Sequence, residues 1–190
     1  MSRPRAKIAI SKANADRTLT GDDHLASQVP AFEFDSTQPL QAIAGGTNTS
    51  ETILFNRIPA NFTFPALVSV SANTDSSYIP VHITSLTSQI YDLETNQLVG
   101  NGTWSGHLKA KSQTQIKLPV TFAYAAINAS DTTWLDFYDA CAHIYPGTVR
   151  PTLNIRLHLD IKIAGRPGSS GTSTPISFIE CPYELPSNSA

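Results

Sequence analysis

Apolar and polar residues alternate without interruption between Thr152 and Ile163. Because successive side chains of a β-strand point to opposite faces, this period of two predicts a strand with one buried and one solvated face. Burial on one face is typical of antiparallel sheets, since parallel sheets usually bury both faces. The apolar phase consists of Leu153, Ile155, Leu157, Leu159, Ile161 and Ile163.

The same period recurs in two other long segments, Phe62–Ala72 and Gln115–Tyr124, which are therefore predicted to be strands of the same kind. Pro119 falls on the outward phase of the second segment. Because proline cannot donate to a strand ladder, we expect an edge strand or a bulge there. The apolar phases are Phe62, Phe64, Ala66, Val68, Val70 and Ala72 in the first segment, and Ile116, Leu118, Val120, Phe122 and Tyr124 in the second.

Further strands are predicted from shorter signals. Ile79, Val81 and Ile83 begin one of them. Its phase slips near residues 84–85, which predicts a bulge or a corner in the sheet. The remaining short candidates are Ala31–Phe34, Ile53–Ile58 and Ile176–Cys181.

Turn-forming residues separate these segments at residues 73–77, 94–96, 100–102, 145–147 and 165–168. Short strands at such intervals predict an antiparallel β-sandwich. The 190 residues suffice for one domain, which we place at residues 31–182. Residues 183–190 are predicted to be a C-terminal tail. Residues 1–30 are predicted to be a disordered basic tail, with Arg3, Arg5, Lys7, Lys12 and Arg17.

One segment breaks the period of two. Residues 130–133 offer a helix N-cap and an acidic first turn. Tyr145-Pro146-Gly147 would end a helix. We therefore predict one short helix at about 131–143 that crosses between strands and closes one end of the sandwich. Its residues at helical spacing are Trp134, which we assign to the core, and Leu135, Tyr138, Cys141 and Ala142.

Composition and motifs argue against several functions. A net charge of −2 does not favour nucleic-acid binding, which normally requires a basic surface. The centre of Gly102–Gly106 is Trp104, so this segment is not the nucleophile elbow of a serine hydrolase. We predict a non-enzymatic protein without catalytic residues, cofactor or metal. No zinc-binding spacing relates the five histidines, His24, His82, His107, His143 and His158.

Cys141 and Cys181 allow two interpretations. They can form one disulfide in an oxidising compartment, or they can be two buried free thiols. Four sequons, Asn-x-Ser/Thr, are candidate glycosylation sites, and they begin at Asn48, Asn61, Asn101 and Asn128. We favour Asn101 because it lies in a predicted glycine-rich turn.

Membrane-crossing and secretory signals are not found in the sequence. The longest apolar run, Phe64–Val70, is far shorter than the ~20 residues that a transmembrane helix needs. No apolar stretch follows the basic N-terminus as it would in a signal peptide. We therefore expect the chain as given to have neither a transmembrane segment nor a signal peptide.

Several segments follow one another in a characteristic order. They are Val68–Asn73, Ile83–Leu93 with Leu98–Gly102, Ile116–Phe122 with its Leu-Pro-Val, Trp134–Cys141, and Thr152–Gly165 with Cys181-Pro182. In this order, over roughly two thirds of the chain, they resemble the late embryogenesis abundant family, second subgroup, and in particular its fungal members, which carry a water-stress and hypersensitive-response related domain. The family's Asn-Pro-Asn turn is Asn73-Thr74-Asp75 here.

This resemblance implies a fibronectin III-like or immunoglobulin-like β-sandwich without enzymatic activity. It also implies a membrane-associated, extracytoplasmic or vacuolar-facing position. The partner expected there is a protein or a lipid at a membrane or cell surface, with stress-related binding as one role. We expect a monomer and no nucleic-acid partner.

Three other interpretations stay open. A groove between the sheets, lined by Leu118, Phe122, Leu157 and Leu159, could take an apolar ligand, whereas a filled core is the simpler expectation. A secreted carbohydrate-binding or carbohydrate-active sandwich would need an exposed aromatic platform, for which Tyr91 and Trp104 beside a carboxylate are the candidates. An intracellular adaptor would bind peptides by strand addition, at an exposed edge near Pro119.

Overall fold

The computed structural model describes residues 29–34, 38–43 and 53–187. Within these ranges the chain forms nine strands and one helix. The strands are β1 (Ala31–Phe34), β2 (Leu40–Ala42), β3 (Leu54–Arg57), β4 (Ala60–Asn73), β5 (Val81–Asp92), β6 (Leu98–Leu108), β7 (Gln113–Ala125), β8 (Leu153–Ile163) and β9 (Ser170–Ile179), and the helix is α1 (Thr132–Cys141).

All strand pairs are antiparallel, in the order β1-β4-β7-β6-β5-β8-β9. The short strands β2 and β3 also pair with β4, so three short strands follow one edge of β4 in succession. The sheet curls strongly into two layers, with β4 and β7 in one and β5, β6, β8 and β9 in the other. The fold is therefore an all-β antiparallel sandwich with one short helix, as the sequence predicted.

Strand β6 joins the two layers. Its residues Gly100–Gly102 pair with Val120–Phe122 of β7, while most of its length pairs with β5. A Cβ atom at Gly102 would overlap the carbonyl oxygen of Pro119, so only glycine permits this approach. The prediction of a turn at residues 100–102 was therefore wrong, because these glycines lie inside β6, where they allow its close pairing with β7.

The three long alternating segments form strands with the predicted buried phases. Phe62, Phe64 and Ala66 of β4 are fully buried, and so are the apolar residues of β8 up to Ile163. The predicted phase slip near residues 84–85 is a register shift of β5 between Ile83 and Leu86. Ile79, however, is exposed and precedes β5, which begins at Val81 after Pro80.

The prediction of an edge strand or a bulge at Pro119 is wrong for the strand as a whole, because β7 lies between β4 and β6 in the sheet. Strand β7 pairs with β4 along Gln113–Ala125 without a register shift at Pro119. Its pairing with β6 covers only Val120–Phe122, so among the described residues the other edge of β7 is unpaired from Gln113 to Pro119. Proline therefore lies where no donor to β6 is required.

Helix α1 lies across the end of the two layers and contacts both β4 and β8. Its buried face includes Trp134, Phe137 and Tyr138, and Phe137 stacks on Phe62 with ring centroids 4.7 Å apart. Trp134 is in the core as predicted. Leu135 was assigned to the buried face but is partly exposed, because the helix is rotated so that Phe137 enters the core instead.

The last strand and the C-terminal segment differ from the prediction. Strand β9 begins at Ser170, six residues before the predicted start at Ile176, because its first half is polar and shows little alternation. After β9, Leu185 is buried and Tyr183 packs on Phe64 with ring centroids 5.9 Å apart. The packed domain thus continues past residue 182. Most of the predicted N-terminal tail lies outside the described residues.

Candidate functional site

One end of the sandwich is formed by α1 and the connections at 58–59, 93–97, 126–131, 142–152 and 180–187, and we call it the helix end. The backbone N–H of Ala126 donates to the carbonyl oxygen of Ala60 at 2.8 Å. This bond places the loop after β7 beside the start of β4. The loops of both layers therefore meet around α1.

Asp131 positions the start of the helix. Its Oδ1 accepts from the backbone N–H of Trp134 at 3.1 Å, which is an N-cap bond. Its Oδ2 accepts from the Tyr124 hydroxyl at 3.1 Å. Burial, followed by this bond to the carboxylate, raises the pKa of Tyr124. The cap predicted at residues 130–133 is thus also tied to strand β7.

Asp92 ties the β5–β6 turn to the helix. Its buried carboxylate accepts from the backbone N–H of Thr95 at 3.0 Å and from the Thr95 hydroxyl. The Thr133 hydroxyl of α1 donates to the same oxygen at 3.4 Å. Because the buried oxygen has several donors, this carboxylate has a structural role at the helix end.

A disulfide joins α1 to the segment after β9. Cys141 and Cys181 are bonded, with Cα atoms 5.2 Å apart, so of the two interpretations the structure shows the disulfide. The backbone N–H of Leu185 donates to the carbonyl oxygen of Cys141 at 2.8 Å, and the Tyr183 hydroxyl donates to that of Pro65 at 2.8 Å. The C-terminal segment therefore passes from one layer to the other.

The same end exposes an unusual number of apolar side chains. Ile58, Ile127 and Val149 are 94%, 98% and 95% exposed, each in a loop. Ile144 and Tyr145 are about half exposed. We call these five residues the apolar rim. Ile58 and Ile127 lie near the start of α1, whereas the other three lie beyond its C-terminus, so the rim flanks a helix about 15 Å long.

Carboxylates lie between the two parts of the rim. Burial, followed by repulsion from Asp92 and Glu94, raises the pKa of Asp136 from 3.8 to about 6. The backbone N–H of Ile144 donates to Glu184 at 3.0 Å and holds the pKa of that carboxyl below its usual value, helped by His143. Glu184 also lies 2.7 Å from the Nδ1 of His143. The helix end is therefore apolar at its loop tips and acidic between them.

Some of the polar groups of the helix end serve caps and turns, namely the carboxylates of Asp92 and Asp131 with their hydroxyl and backbone donors. Across the described ranges, no group of three or more His, Cys, Asp or Glu side chains is placed to hold a metal ion. Within the same ranges, no helix combines the length and apolarity required to cross a membrane.

The predicted glycosylation sites differ in accessibility. Asn101 is exposed, although it lies within β6 and not in a turn. Asn128 is exposed and accepts from the backbone N–H of Ser130 at 2.9 Å. Asn61 lies in β4 and accepts from Asn56 at 3.1 Å. Asn48 lies outside the described residues.

The histidines fall into a pair and two single residues. His82 and His107 are directly opposite each other on β5 and β6, and their rings stack. His158 lies on the outer face of β8, and His143 pairs with Glu184. His24 lies outside the described residues. Sequence alone could not find the pair, because it depends on the register of two strands.

Tyr91 and Trp104 do not form the aromatic platform considered above. Trp104 lies opposite buried Leu86 and its ring lies over Gly106, so it belongs to the inner face of the sheet. Tyr91 follows buried Ile90, is therefore on the outer face, and donates to Gln89 at 3.2 Å. The two rings are on opposite faces.

Two clefts lie on the surface. One, of about 160 Å³, is on the outer face of β5 and β8 and is lined by Ser85, Thr87, Gln89, His158, Asp160 and Lys162. The other, of about 660 Å³, lies between β2 and the segment from Phe178 to Pro182. Neither is the apolar groove considered above, since Leu118, Phe122, Leu157 and Leu159 are all buried in the core.

The apolar rim was missed by the sequence analysis. Its residues lie next to turn formers such as Pro59, Asn128 and Gly147, outside any regular period. Isolated apolar residues inside turn segments were the available signal.

Comparison with known proteins does not identify a family for this chain. No protein-family model and no curated protein matches it.

Proposed function

We propose that this protein is a non-enzymatic β-sandwich module that binds a lipid surface through its helix end. The observation that carries the proposal is the almost complete exposure of Ile58, Ile127 and Val149 at loops that flank α1. A group of exposed apolar side chains at one end of a domain, with polar residues between them, is typical of a surface that contacts a partner or a membrane.

A lipid surface fits these side chains better than a protein partner does. Protein interfaces bury a contiguous apolar core, whereas the rim consists of separate tips on two sides of a helix. Single side chains can insert between lipid headgroups without a matching pocket. Burial of each tip contributes about 1.5–3 kcal/mol, which gives weak and reversible attachment.

The charge of the helix end selects the kind of lipid. The exposed carboxylates there are Glu94, Asp139, Glu180 and Glu184. They outnumber Arg57 and Arg150, which adjoin the rim, so an anionic membrane is repelled overall. Attraction to anionic lipids depends on basic residues near the surface. A neutral or zwitterionic lipid surface is therefore the expected partner.

The resemblance to the late embryogenesis abundant family, second subgroup, leads us to place the module on the extracytoplasmic or vacuolar side of a membrane, as a fibronectin III-like or immunoglobulin-like domain. The disulfide supports this position, because disulfides persist in oxidising compartments. It joins the helix cysteine to the closing Cys-Pro, the two features on which part of the resemblance rests.

Flotation with phosphatidylcholine vesicles tests the lipid proposal on the full chain. The variant carries Ile58→Ser, Ile127→Ser and Val149→Ser together, and we expect its apparent affinity to fall at least about tenfold. Because these side chains are exposed, the variant should fold, which circular dichroism checks. Added phosphatidylserine should weaken the binding of the natural chain.

The matched control is Tyr78→Ser with Ile79→Ser, two exposed apolar residues at the other end of the sandwich. This variant should float like the natural chain. Equal loss in both variants, or no flotation of the natural chain on either vesicle, overturns the proposal. In the latter case a protein partner becomes the explanation of the rim.

A further inference from the structure

His82 and His107 form a pair on the outer face of the layer that contains β5, β6, β8 and β9. They are direct partners in the β5–β6 ladder, and both side chains are exposed. Their ring centroids are 4.0 Å apart and the ring planes differ by 11°. The adjacent pair, Val81 and Leu108, is buried, so the core fixes the backbone that presents the two imidazoles.

The ring nitrogens of this pair are available. Among the described residues, neither imidazole has a hydrogen-bond partner, in contrast to His143, which is held by Glu184. Charged side chains on the flanking elements are Lys109 in the turn after β6, Lys162 on β8 and Arg166 in the turn after it. The pair therefore presents imidazole nitrogens that, among the described residues, have no carboxylate partner.

We propose that His82 and His107 form a two-imidazole site for a borderline divalent transition metal, bound most tightly as Cu(II) and more weakly as Zn(II) or Ni(II). Imidazole nitrogen is a suitable ligand for these metals. Among divalent first-row transition metals, the affinity of a given nitrogen site is highest for Cu(II) and lower for Ni(II) and Zn(II). Two nitrogens at 2.0–2.1 Å from one metal lie about 3 Å apart. The stacked rings have to rotate about their side-chain bonds to direct one nitrogen each at a shared metal, and their exposure leaves room for this rotation.

The expected affinity is modest and the site is open. Structural zinc sites use four protein ligands and catalytic ones use three, whereas this pair offers two. The remaining positions are left to water or to a donor from another molecule. Metal binding requires unprotonated imidazole, so the affinity should be lower in acid.

Copper titration of the full chain, prepared without a polyhistidine tag, tests the site. We expect electron paramagnetic resonance of the bound Cu(II) to show coupling to two equivalent nitrogens. His82→Ala and His107→Ala should each lower the affinity at least about tenfold and leave coupling to one nitrogen. His158→Ala and His24→Ala are the matched controls and should leave both readouts unchanged.

A second readout does not depend on spectroscopy. Zn(II) should raise the melting temperature of the natural chain, because the metal binds the folded pair and not two separated histidines, and it should not do so in the double variant. Both positions are exposed, so the variants should fold. The proposal fails if the double variant binds Cu(II) as tightly as the natural chain, or if a control variant loses the signal instead.

Discussion

The two ends of the sandwich cover the hydrophobic core in different ways. At the helix end, α1 and a disulfide-linked segment cover the core, and apolar side chains protrude from the loops. At the opposite end, the connections at 74–80, 109–112 and 164–169 cover the core with hydrogen-bonded turns, and we call this the turn end. The exposed ring of Tyr78 at the turn end is covered by the Lys111 ammonium, 3.8 Å from the ring centroid.

The charges of the two ends also differ. The helix end is acidic, whereas the turn end carries Lys109, Lys111 and Arg166 around Asp75. The Lys111 ammonium is attracted to the face of the Tyr78 ring by a cation–π interaction, so a hydrated charged group covers this exposed ring. Exposed apolar residues therefore occur at both ends, but the largest one at the turn end, Tyr78, has a cation over its ring.

Removing the disulfide should give the largest effect. Cys141→Ala with Cys181→Ala opens a loop with a sequence separation of 40 residues, and we expect a loss of about 4 kcal/mol in the free energy of unfolding. Urea denaturation measures it, and reduction of the natural chain should give the same loss. Hydrogen exchange should increase in α1 and at residues 181–185. An equal increase at the turn end would contradict the distinction between the ends.

The turn end depends instead on Thr74. Its buried hydroxyl donates to the carbonyl oxygen of Lys109 at 2.6 Å and accepts from the backbone N–H of Ser112 at 3.1 Å. Thr74→Val keeps the shape but removes the acceptor of the Ser112 N–H, whereas the Lys109 carbonyl oxygen keeps its bond from the Ser112 hydroxyl. We therefore expect a loss of about 2 kcal/mol in urea denaturation. Thr84→Val removes an exposed hydroxyl and is the control, with a loss below about 0.5 kcal/mol.

The helix cap should have a smaller effect. Asp131→Ala removes the bonds to Trp134 and Tyr124, and we expect a loss of about 1.5 kcal/mol. Tyr124→Phe removes only the second bond and should cost about 0.5–1 kcal/mol. If Tyr124→Phe proved the more damaging of the two, the N-cap would not be the main role of Asp131.

The smallest effect concerns Asp136 and depends on pH. Its pKa is about 6 in the folded chain against an ordinary value of 3.8, so between these values the folded state binds more protons and stability falls as the pH rises. We expect Asp136→Asn to raise the free energy of unfolding by about 1 kcal/mol at about pH 7.5, because partial exposure screens much of the shift.

This gain should disappear in acid, where the carboxyl is neutral in both states. Asp139→Asn, on the exposed side of the same helix, is the control and should leave most of the pH dependence in place. Flotation on neutral vesicles should also strengthen as the pH falls through about 6, because protonation of Asp136 removes a charge beside the rim. A flat pH profile for the natural chain would contradict this assignment.

Alternation predicted the parts of the fold in which one face is buried and the other wet. The inward phases of β4, β7 and β8 follow this rule, since a slip of one position would expose their apolar set. On β4 the short strands also cover Pro65 and Ser69 of the outward phase. The rule did not predict that Gly100–Gly102 belong to a strand. In a sequence, a glycine that allows two strands to pair closely cannot be distinguished from a glycine that forms a turn. It also missed Ser170–Pro175, where hydroxyl side chains obscure the period.

The site was less predictable than the fold for a related reason. The cap at Asp131 follows from local residue types, whereas the sequence left open whether Cys141 and Cys181 are bonded. The rotation of α1, which exposes Leu135 and buries Phe137, depends on the gap between the layers that it fills. Likewise, His82 and His107 become neighbours only through the register of β5 and β6.

The short pairing of β6 with β7 at Gly100–Gly102 determines how the two layers would separate under force. The two layers share a hydrogen-bonded edge only over these three residues of β6, and among the described residues β2 and β9 are not paired across the opposite edge. Under tension applied between β2 and β9, the layers would therefore part from that edge, with β6 as the hinge. The covalent bond between Cys141 and Cys181 keeps the segment after β9 attached to α1, so it limits how far such an opening can extend.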